Sequence, residues 1–556
     1  MTMNRRTALQ SIGLGLSLGY QAIPARADDT PIGNSSAILP FADPYDVGFR
    51  GPRTLMFLDY FPLLNFWHIK IRQSKAEYVP EGKFTDPYLT TDNAQSQPWS
   101  SPFFDEQAKL YRRFSGYTEK YLYESDDAIR WRISPQPQQD FPKKQAPHHV
   151  ANAPVRGFGS PVYVDPVAED GYRYKQLVLE LHRPSYEYYL NTPDSFFHPL
   201  AVAASKKGGL KHFHARKHSM LVSRDGLDWE LRRDYDWGCP PLTTEEHYSM
   251  FYNHHLGEHV AVYRVRFGDR RLYFTTTKDF RNWSVPRKAI HPDVFDVGSV
   301  QFHGSSFHRY DSYYIGLMFK ANYMRATYPM GTSYGPDQCH LAYSYDGQHF
   351  NQVYREPLIP RDQPGQPEFR TLWTRGMLQK DDKIYLYSRA FTRDRTLPTD
   401  FDSPRQSRLA QREVKSIAPH VVHQLRKDGF TYIEPDGWEG EFMTKLMFLF
   451  DGKVTMNANA TRGRVHYEIV TQPGKDAPEG YSFNDCVPLA YADSTEFQLR
   501  FRDKPDLSEF VGQQIYLRFK LHMARFYSIR ADFSTDPESR FRAKAGMPIY
   551  NTSWLY

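Results

Sequence analysis

From Thr54 to about Ala390, short runs of aromatic and β-branched residues alternate with polar turns, and the 3.6-residue period of an amphipathic helix is nearly absent. The runs at Thr54–Tyr60, Lys109–Tyr111, Lys120–Tyr123, Tyr174–Glu180, Met220–Ser223, His259–Val265, Leu272–Thr276, Tyr313–Phe319, His340–Ser344 and Lys383–Tyr387 predict strands. Four times a seven-residue pattern, Ser/Thr-x-Asp-x-x-x-aromatic, marks the turn out of a strand: Ser125 to Trp131, Ser223 to Trp229, Thr277 to Trp283 and Ser344 to Phe350. In each copy the Asp is placed to accept backbone N–H groups of a tight turn, and the aromatic begins the next strand. The copies lie 98, 54 and 67 residues apart. A strand-turn-strand unit recurring at that distance predicts the blades of a β-propeller, since solenoid repeats are shorter and more regular. Grouping the strands around the four turns gives about five blades over residues 54–421, preceded by an extension over 28–53.

From Phe391 to about Val421 the pattern gives way to Arg, Asp, Ser and Pro, which reads as an excursion or linker. Beyond it, two-residue alternation returns at Leu425–Phe430, Glu441–Phe450, Lys453–Ala460, Val465–Thr471, Phe497–Arg502 and Gln514–Leu521, with turns at Asp451-Gly452 and Pro478-Glu479-Gly480. This predicts an all-β chain in which a propeller is followed by a jelly-roll-like β-sandwich over 422–556.

Composition changes the picture little. Aromatic residues make up 15% of the 556, a content that an all-β fold explains without any ligand. The net charge of +6 is spread over 70 basic and 64 acidic residues, so no block suited to a nucleic-acid groove exists, while attraction to an acidic glycan is left open. Three cysteines make no disulfide framework. The N-terminus says more. Arg5-Arg6 precedes a short Gly-rich apolar run, Ile12–Tyr20, and then Ala25-Arg26-Ala27, which reads as a twin-arginine export signal over 1–27 and a periplasmic or secreted protein. No other run reaches the length of a transmembrane helix. The sequence leaves the oligomeric state open.

The order of these motifs resembles that of a family of secreted bacterial proteins described as glycosidases, which pair a five-bladed propeller with a C-terminal β-sandwich. The residues that carry the resemblance are Leu55-Met56-Phe57-Leu58-Asp59-Tyr60, the four Asp turns, Arg355-Glu356-Pro357-Leu358-Ile359-Pro360, Leu425–Phe430 and Ser482-Phe483-Asn484-Asp485-Cys486. The family is distantly similar to the invertase, levansucrase and arabinanase propellers. The resemblance implies a pocket on the propeller axis with three carboxylates at inner strand ends. Where the family opens with two Asp, this chain has Asp59 followed by Tyr60.

Glycoside cleavage needs one carboxylic acid for the leaving oxygen and a second carboxylate as nucleophile or as base for water. By analogy with the opening Asp of those enzymes, Asp59 is expected to be the nucleophile or base. Asp296, just before a strand that opens a blade, is expected to stabilise the transition state. Glu368, beside Trp373 and flanked by Arg370 and Arg375, is expected to be the acid, with Glu246 a competing site. Arg156, Glu246, His303, Trp373 and Arg375 are expected to bind substrate, Arg156 as a fork for a carboxylate or sulfate. No metal or cofactor motif appears, and a structural calcium ion has no motif to support it. The resulting expectation is a glycoside hydrolase acting on a carbohydrate. The alternatives are a propeller that holds a glycan without cleaving it and a lyase acting on uronates.

Overall fold

The computed structural model describes residues 53–84, 100–115, 121–134, 160–181, 190–191, 193, 198–208, 216–232, 234–235, 244–267, 269–296, 300–322, 337–361, 363–367, 369, 371–391 and 419–535. Apart from a helix at His198–Lys206, these residues form β-structure almost throughout. None of their helices is long and apolar enough to cross a membrane.

Among the described residues five small antiparallel meanders form blades. The first runs Phe103–Asp105, Leu110–Ser115, Tyr121–Ser125, Arg132–Ile133, and the second Tyr163–Val164, Tyr174–Leu181, Arg216–Ser223, Glu230–Arg232. The third runs Thr244–Asn253, Glu258–Phe267, Asp269–Thr277, Arg287–Ile290. Val300–Tyr310, Tyr313–Asn322 and Asp337–Ser344 make the fourth, with Asn351 bridged to Tyr343 where a fourth strand belongs. The fifth, Thr371–Lys380, Lys383–Phe391 and His420–Arg426, takes its outermost strand from the start of the chain, Glu77–Phe84. That pairing ties the first strand of the propeller to the last, so the ring cannot open without breaking it. Gly82 is required at the bulge in this closing pair, because a Cβ there would lie 2.5 Å from Val422.

Each of the four Asp turns joins the third strand of a blade to its fourth, or to the bridge that replaces it. Asp127 accepts the N–H groups of Ile129 and Arg130, Asp225 those of Leu227 and Asp228, Asp279 those of Arg281 and Asn282, and Asp346 those of Gln348 and His349, all at 2.8 or 2.9 Å. Partial burial alone would raise the Asp279 carboxyl. The N–H groups of Asn282 and Arg281 outweigh it and bring the pKa to about 2. The turns between first and second strands use the same device, with Asp105, Asp165 and Asn253 each accepting the next N–H groups but one and two.

The division between the domains differs from the expected one. Arg53–Met56 pairs with Arg525–Ala531, Leu63–Trp67 with Glu439–Thr444, and Ile69–Gln73 with Thr431–Pro435, so residues 53–73 belong to the sandwich. Conversely, His420–Arg426 is the third strand of the last blade, and the sandwich resumes at Thr431. Alternation shows that a strand has a buried face without saying which core covers it. Phe57 packs edge-on against Phe442 and Phe526, both sandwich residues.

Hydrogen bonds from buried groups fasten the two domains together. The Asp428 carboxylate accepts the Tyr310 hydroxyl from the propeller and the Ser528 hydroxyl from the sandwich, each at 2.6 Å. Tyr313 of the propeller accepts the Met56 N–H of the sandwich. One apolar cluster runs through both, from Leu317 and Leu372 to Phe519 and Ile529.

Candidate active site

Because every blade is an up-and-down meander, the five first strands run the same way and begin at one end of the axis. Around the axis they are bonded directly to one another. Phe307 N–H donates to Ser249 Oγ, Ser306 Oγ–H to the Thr374 carbonyl, and Ser101 Oγ–H to the Met377 carbonyl. Near its start, the first strand of each of blades three, four and five is bulged: between Glu245 and Ser249, between Phe302 and Gly304, and between Thr374 and Gly376. A bulge leaves a residue outside the ladder and re-aims its side chain. In blades four and five the residues so released are His303 and Arg375, and Glu246 lies in the bulged stretch of blade three.

His303 Nδ1 lies 2.5 Å from Asp337 Oδ2, and the same oxygen accepts the Trp373 indole N–H at 2.8 Å. The three side chains are almost fully buried. A carboxylate on Nδ1 calls for the proton on that nitrogen, which leaves Nε2 as the basic position of the ring. Arg264 brings in the third blade by donating to the His303 carbonyl at 2.7 Å. The Arg375 guanidinium lies 5.8 Å from the Trp373 ring and 5.4 Å from that of Phe319. Two ring N–H donors, one acid and one arginine thus meet where the fourth blade faces the fifth. Of the expected residues, the structure brings His303, Trp373 and Arg375 together.

Asp59 is elsewhere. Its Oδ2 accepts the Tyr343 hydroxyl at 2.7 Å, and its Oδ1 accepts the Tyr345 hydroxyl and the Phe61 N–H, each at 2.8 Å. Tyr343 is six residues along the strand from Asp337, about 20 Å away. The carboxylate therefore anchors the sandwich to the far end of blade four, and the expected convergence of Asp59 with Asp296 does not occur. Exchanging it for Asn should lower stability by about 1–2 kcal/mol, the cost of weakening bonds to a half-buried charged acceptor. Glycan cleavage by the folded Asp59→Asn variant should be unchanged, and unfolding in urea alongside an activity assay tests both.

Asp296 stands at the blade-start end, yet both of its oxygens are taken. Lys320 holds Oδ1, while Arg355 at 3.1 Å and the Asp293 N–H at 3.0 Å hold Oδ2. Burial pushes the Lys320 ammonium below the usual lysine range, against the pull of Asp296. Lys320 pairs with Gln338, one position beyond Asp337, so this ion pair lies on the opposite face of blade four from the His303–Asp337 pair. The arrangement fastens the segment before the blade and leaves Asp296 no oxygen for a sugar. Glu368 and Arg156 lie outside the described residues, as does the Glu246 side chain. Among the described residues no three His, Cys, Asp or Glu side chains are grouped to hold a metal ion.

Asp337 is the residue that sequence reading passed over. It follows Gly335-Pro336, which reads as a turn, and the strand was expected to start at His340. Asp337 shares a face with Cys339, Leu341 and Tyr343 in a strand that is buried on both faces, and that two-residue spacing, extended back from His340, is the signal that could have found it.

No protein-family model and no curated protein matches the sequence. Among solved structures, the β-fructofuranosidase of Bombyx mori is similar over 82% of this chain and 95% of its own, at 11% identity and a TM-score of 0.33. The α-L-arabinanase of Cellvibrio cellulosa is similar over 53% and 87%, at 13% identity and 0.30. The β-1,2-mannobiose phosphorylase of Listeria innocua is similar over 68% and 98%, at 9% identity and 0.33. The first two belong to the groups whose propellers the motif order resembles. Likeness this slight decides nothing about chemistry, which has to come from the residues.

Proposed function

We propose that this chain is an exported enzyme that cleaves a glycosidic bond of a poly- or oligosaccharide at the blade-start end of its propeller. The observation that carries this reading is the coincidence of three bulged inner strands with a buried imidazole, carboxylate and guanidinium at one end of the axis. Bulges of this kind gather beside active sites. With Asp59 at the far end and Asp296 committed to its ion pairs, the two carboxylates that hydrolysis needs are Glu246 and Glu368, from the starts of blades three and five. His303 and Arg375 hold the sugar, and Asp337 is the positioning residue that orients His303.

One observation also favours the lyase reading. An imidazole with a basic Nε2 beside a buried arginine suits abstraction of the proton next to a uronate carboxylate whose charge the arginine offsets. The purified mature protein, incubated with neutral and uronate-containing glycans, separates these. New reducing ends without an unsaturated sugar, abolished by Glu368→Gln, support hydrolysis. Unsaturated uronate products, abolished by His303→Ala, replace it with elimination, and binding without any cleavage overturns both.

A further inference from the structure

We infer that the far end of blade two carries a second glycan-binding cleft, which holds a neutral stretch of polysaccharide and cleaves nothing. This goes beyond the cleavage proposed above, and the class of occupant follows from the lining of the cleft alone. A cleft of about 290 Å³ lies between two turns of this blade. One turn leads from the first strand into the second, and the other, the Asp turn from Ser223 to Trp229, leads from the third into the fourth. The volume is close to the lower end of ordinary ligand pockets, about 300 Å³, and large enough for a sugar ring. Tyr172, Arg224, Asp225, Asp228, Trp229 and Glu230 line it. Both turns stand opposite the blade starts, and the third strand, Arg216–Ser223, sets them about 23 Å away from that end.

One wall is held by groups beneath it. The Tyr172 N–H donates to Asp170 at 3.0 Å, its carbonyl accepts the Lys175 ammonium, and its hydroxyl donates to Glu230 and accepts from Arg232. Lys175 is fully buried and paired with Asp165 at 2.6 Å and Asp170 at 2.9 Å, so a buried ion network fixes a surface tyrosine. Arg224 lies 4.5 Å over the Tyr172 ring and donates to the Gly171 carbonyl at 3.2 Å. That bond uses one of the five N–H groups of its guanidinium, and Glu230 engages its partners through Oε1. Both side chains are exposed, which leaves the other N–H groups and Oε2 to an occupant.

In the first and last copies of the Asp turn the closing aromatic, Trp131 or Phe350, is buried, whereas Trp229 is half-buried and lines the cleft. Its indole N–H donates to the Gly226 carbonyl at 2.9 Å and its ring packs edge-on against Phe114, so the ring is held in place. An indole fixed in this way offers an apolar surface to the C–H face of a sugar. The polar part of the lining decides the charge of the occupant. Asp225, Asp228 and Glu230 only accept hydrogen bonds, and Arg224 is the one cation among the lining residues. An anionic sugar meets repulsion from three carboxylates there. A neutral ring brings the hydroxyl protons that those carboxylates accept and oxygens for Arg224.

Hydroxyl-radical footprinting of the full mature protein reads the cleft without reference to activity, through oxidation of the peptide that holds Trp229. The probes are the neutral hexasaccharides of glucose, xylose, arabinose and mannose, with hexagalacturonate and hexalysine at equal ionic strength. At least one neutral hexasaccharide is expected to protect Trp229 saturably and hexagalacturonate is not, with affinity at least about tenfold weaker in Glu230→Ala and in Arg224→Ala. Both substitutions are at exposed positions, where the fold tolerates them. The assignment is overturned by absence of protection with all four neutral hexasaccharides, or by protection undiminished in both variants. Protection by hexalysine equal to or better than that by the sugars also overturns it and marks a site for basic peptides. Each of these outcomes leaves cleavage at the blade starts standing, and protection of Trp229 without cleavage of any glycan sinks the proposed function and keeps the cleft.

Discussion

With His303 as the proton-abstracting base of an elimination, Asn in place of Asp337 is expected to lower turnover by about 10²- to 10⁴-fold, the range in which losing the carboxylate partner of a working imidazole falls, whereas hydrolysis, in which His303 only holds the sugar, should lose affinity instead. The amide keeps the shape of the site and still offers an oxygen to His303 Nδ1–H and Trp373 Nε1–H, so the folded protein should survive the exchange. What disappears is the negative charge that keeps the proton on Nδ1 and steadies the ring when Nε2 takes a second one. In elimination the loss should therefore fall on kcat and spare KM. The acid limb of the pH profile should move to lower pH, because an imidazole without its carboxylate is less basic. A purely structural Asp337 would give the opposite result, with lowered thermal stability and a pH profile that does not move.

Acid should destabilise the fold steeply, by at least about 4 kcal/mol per pH unit between roughly pH 6 and pH 4. The cause is a set of buried histidines: His254, His340 and His423 are each pushed down to a pKa of about 3, His259 and His308 to about 4, and His420 well below its usual value. Burial is the main cause in all of them. Arg309 and His255 add to it at His254, and at His340 Lys320 and Arg355 add to it while Asp296 opposes. The native state keeps these rings neutral, whereas the unfolded chain protonates them near 6.5. Their contribution is complete above about pH 6.5 and is lost as the pH falls toward 3. The first three alone, at about 1.4 kcal/mol per pH unit each, give the lower bound of the slope. The depressed carboxylates act in the other window. Asp279, at about 2, contributes above about pH 4 and loses that only below it, so it does not offset the histidines between pH 6 and 4. Urea unfolding at half-unit steps of pH measures the slope directly. A flat dependence down to pH 4 would show that these rings are not held neutral, and His423→Leu should remove about 1.4 kcal/mol per pH unit of the slope.

How much of this was legible depends on distance along the chain. The four Asp turns were readable because donor, acceptor and flanking strands lie within seven residues, and the structure finds each Asp closing its turn with two backbone N–H groups. His303, Trp373 and Arg375 were reachable for a related reason: once the turns are assigned to the outer hairpins, the chemistry belongs at blade starts. Asp59 failed on the same ground reversed. Its strand looked like an opening blade strand, and its partner, Arg525–Ala531, lies more than 450 residues away.

The sequence by itself determined the all-β character, the recurrence of the blade unit and the turns that separate strands, since these follow from local hydrogen bonding and two-residue alternation. Only the tertiary structure decided which strands share a sheet. It gave the first three strands to the sandwich, closed the ring with Glu77–Phe84, and set Asp337 against His303 of its own blade and Trp373 of the next. Alternation records that a face is buried, and the identity of what buries it is settled by packing between segments hundreds of residues apart.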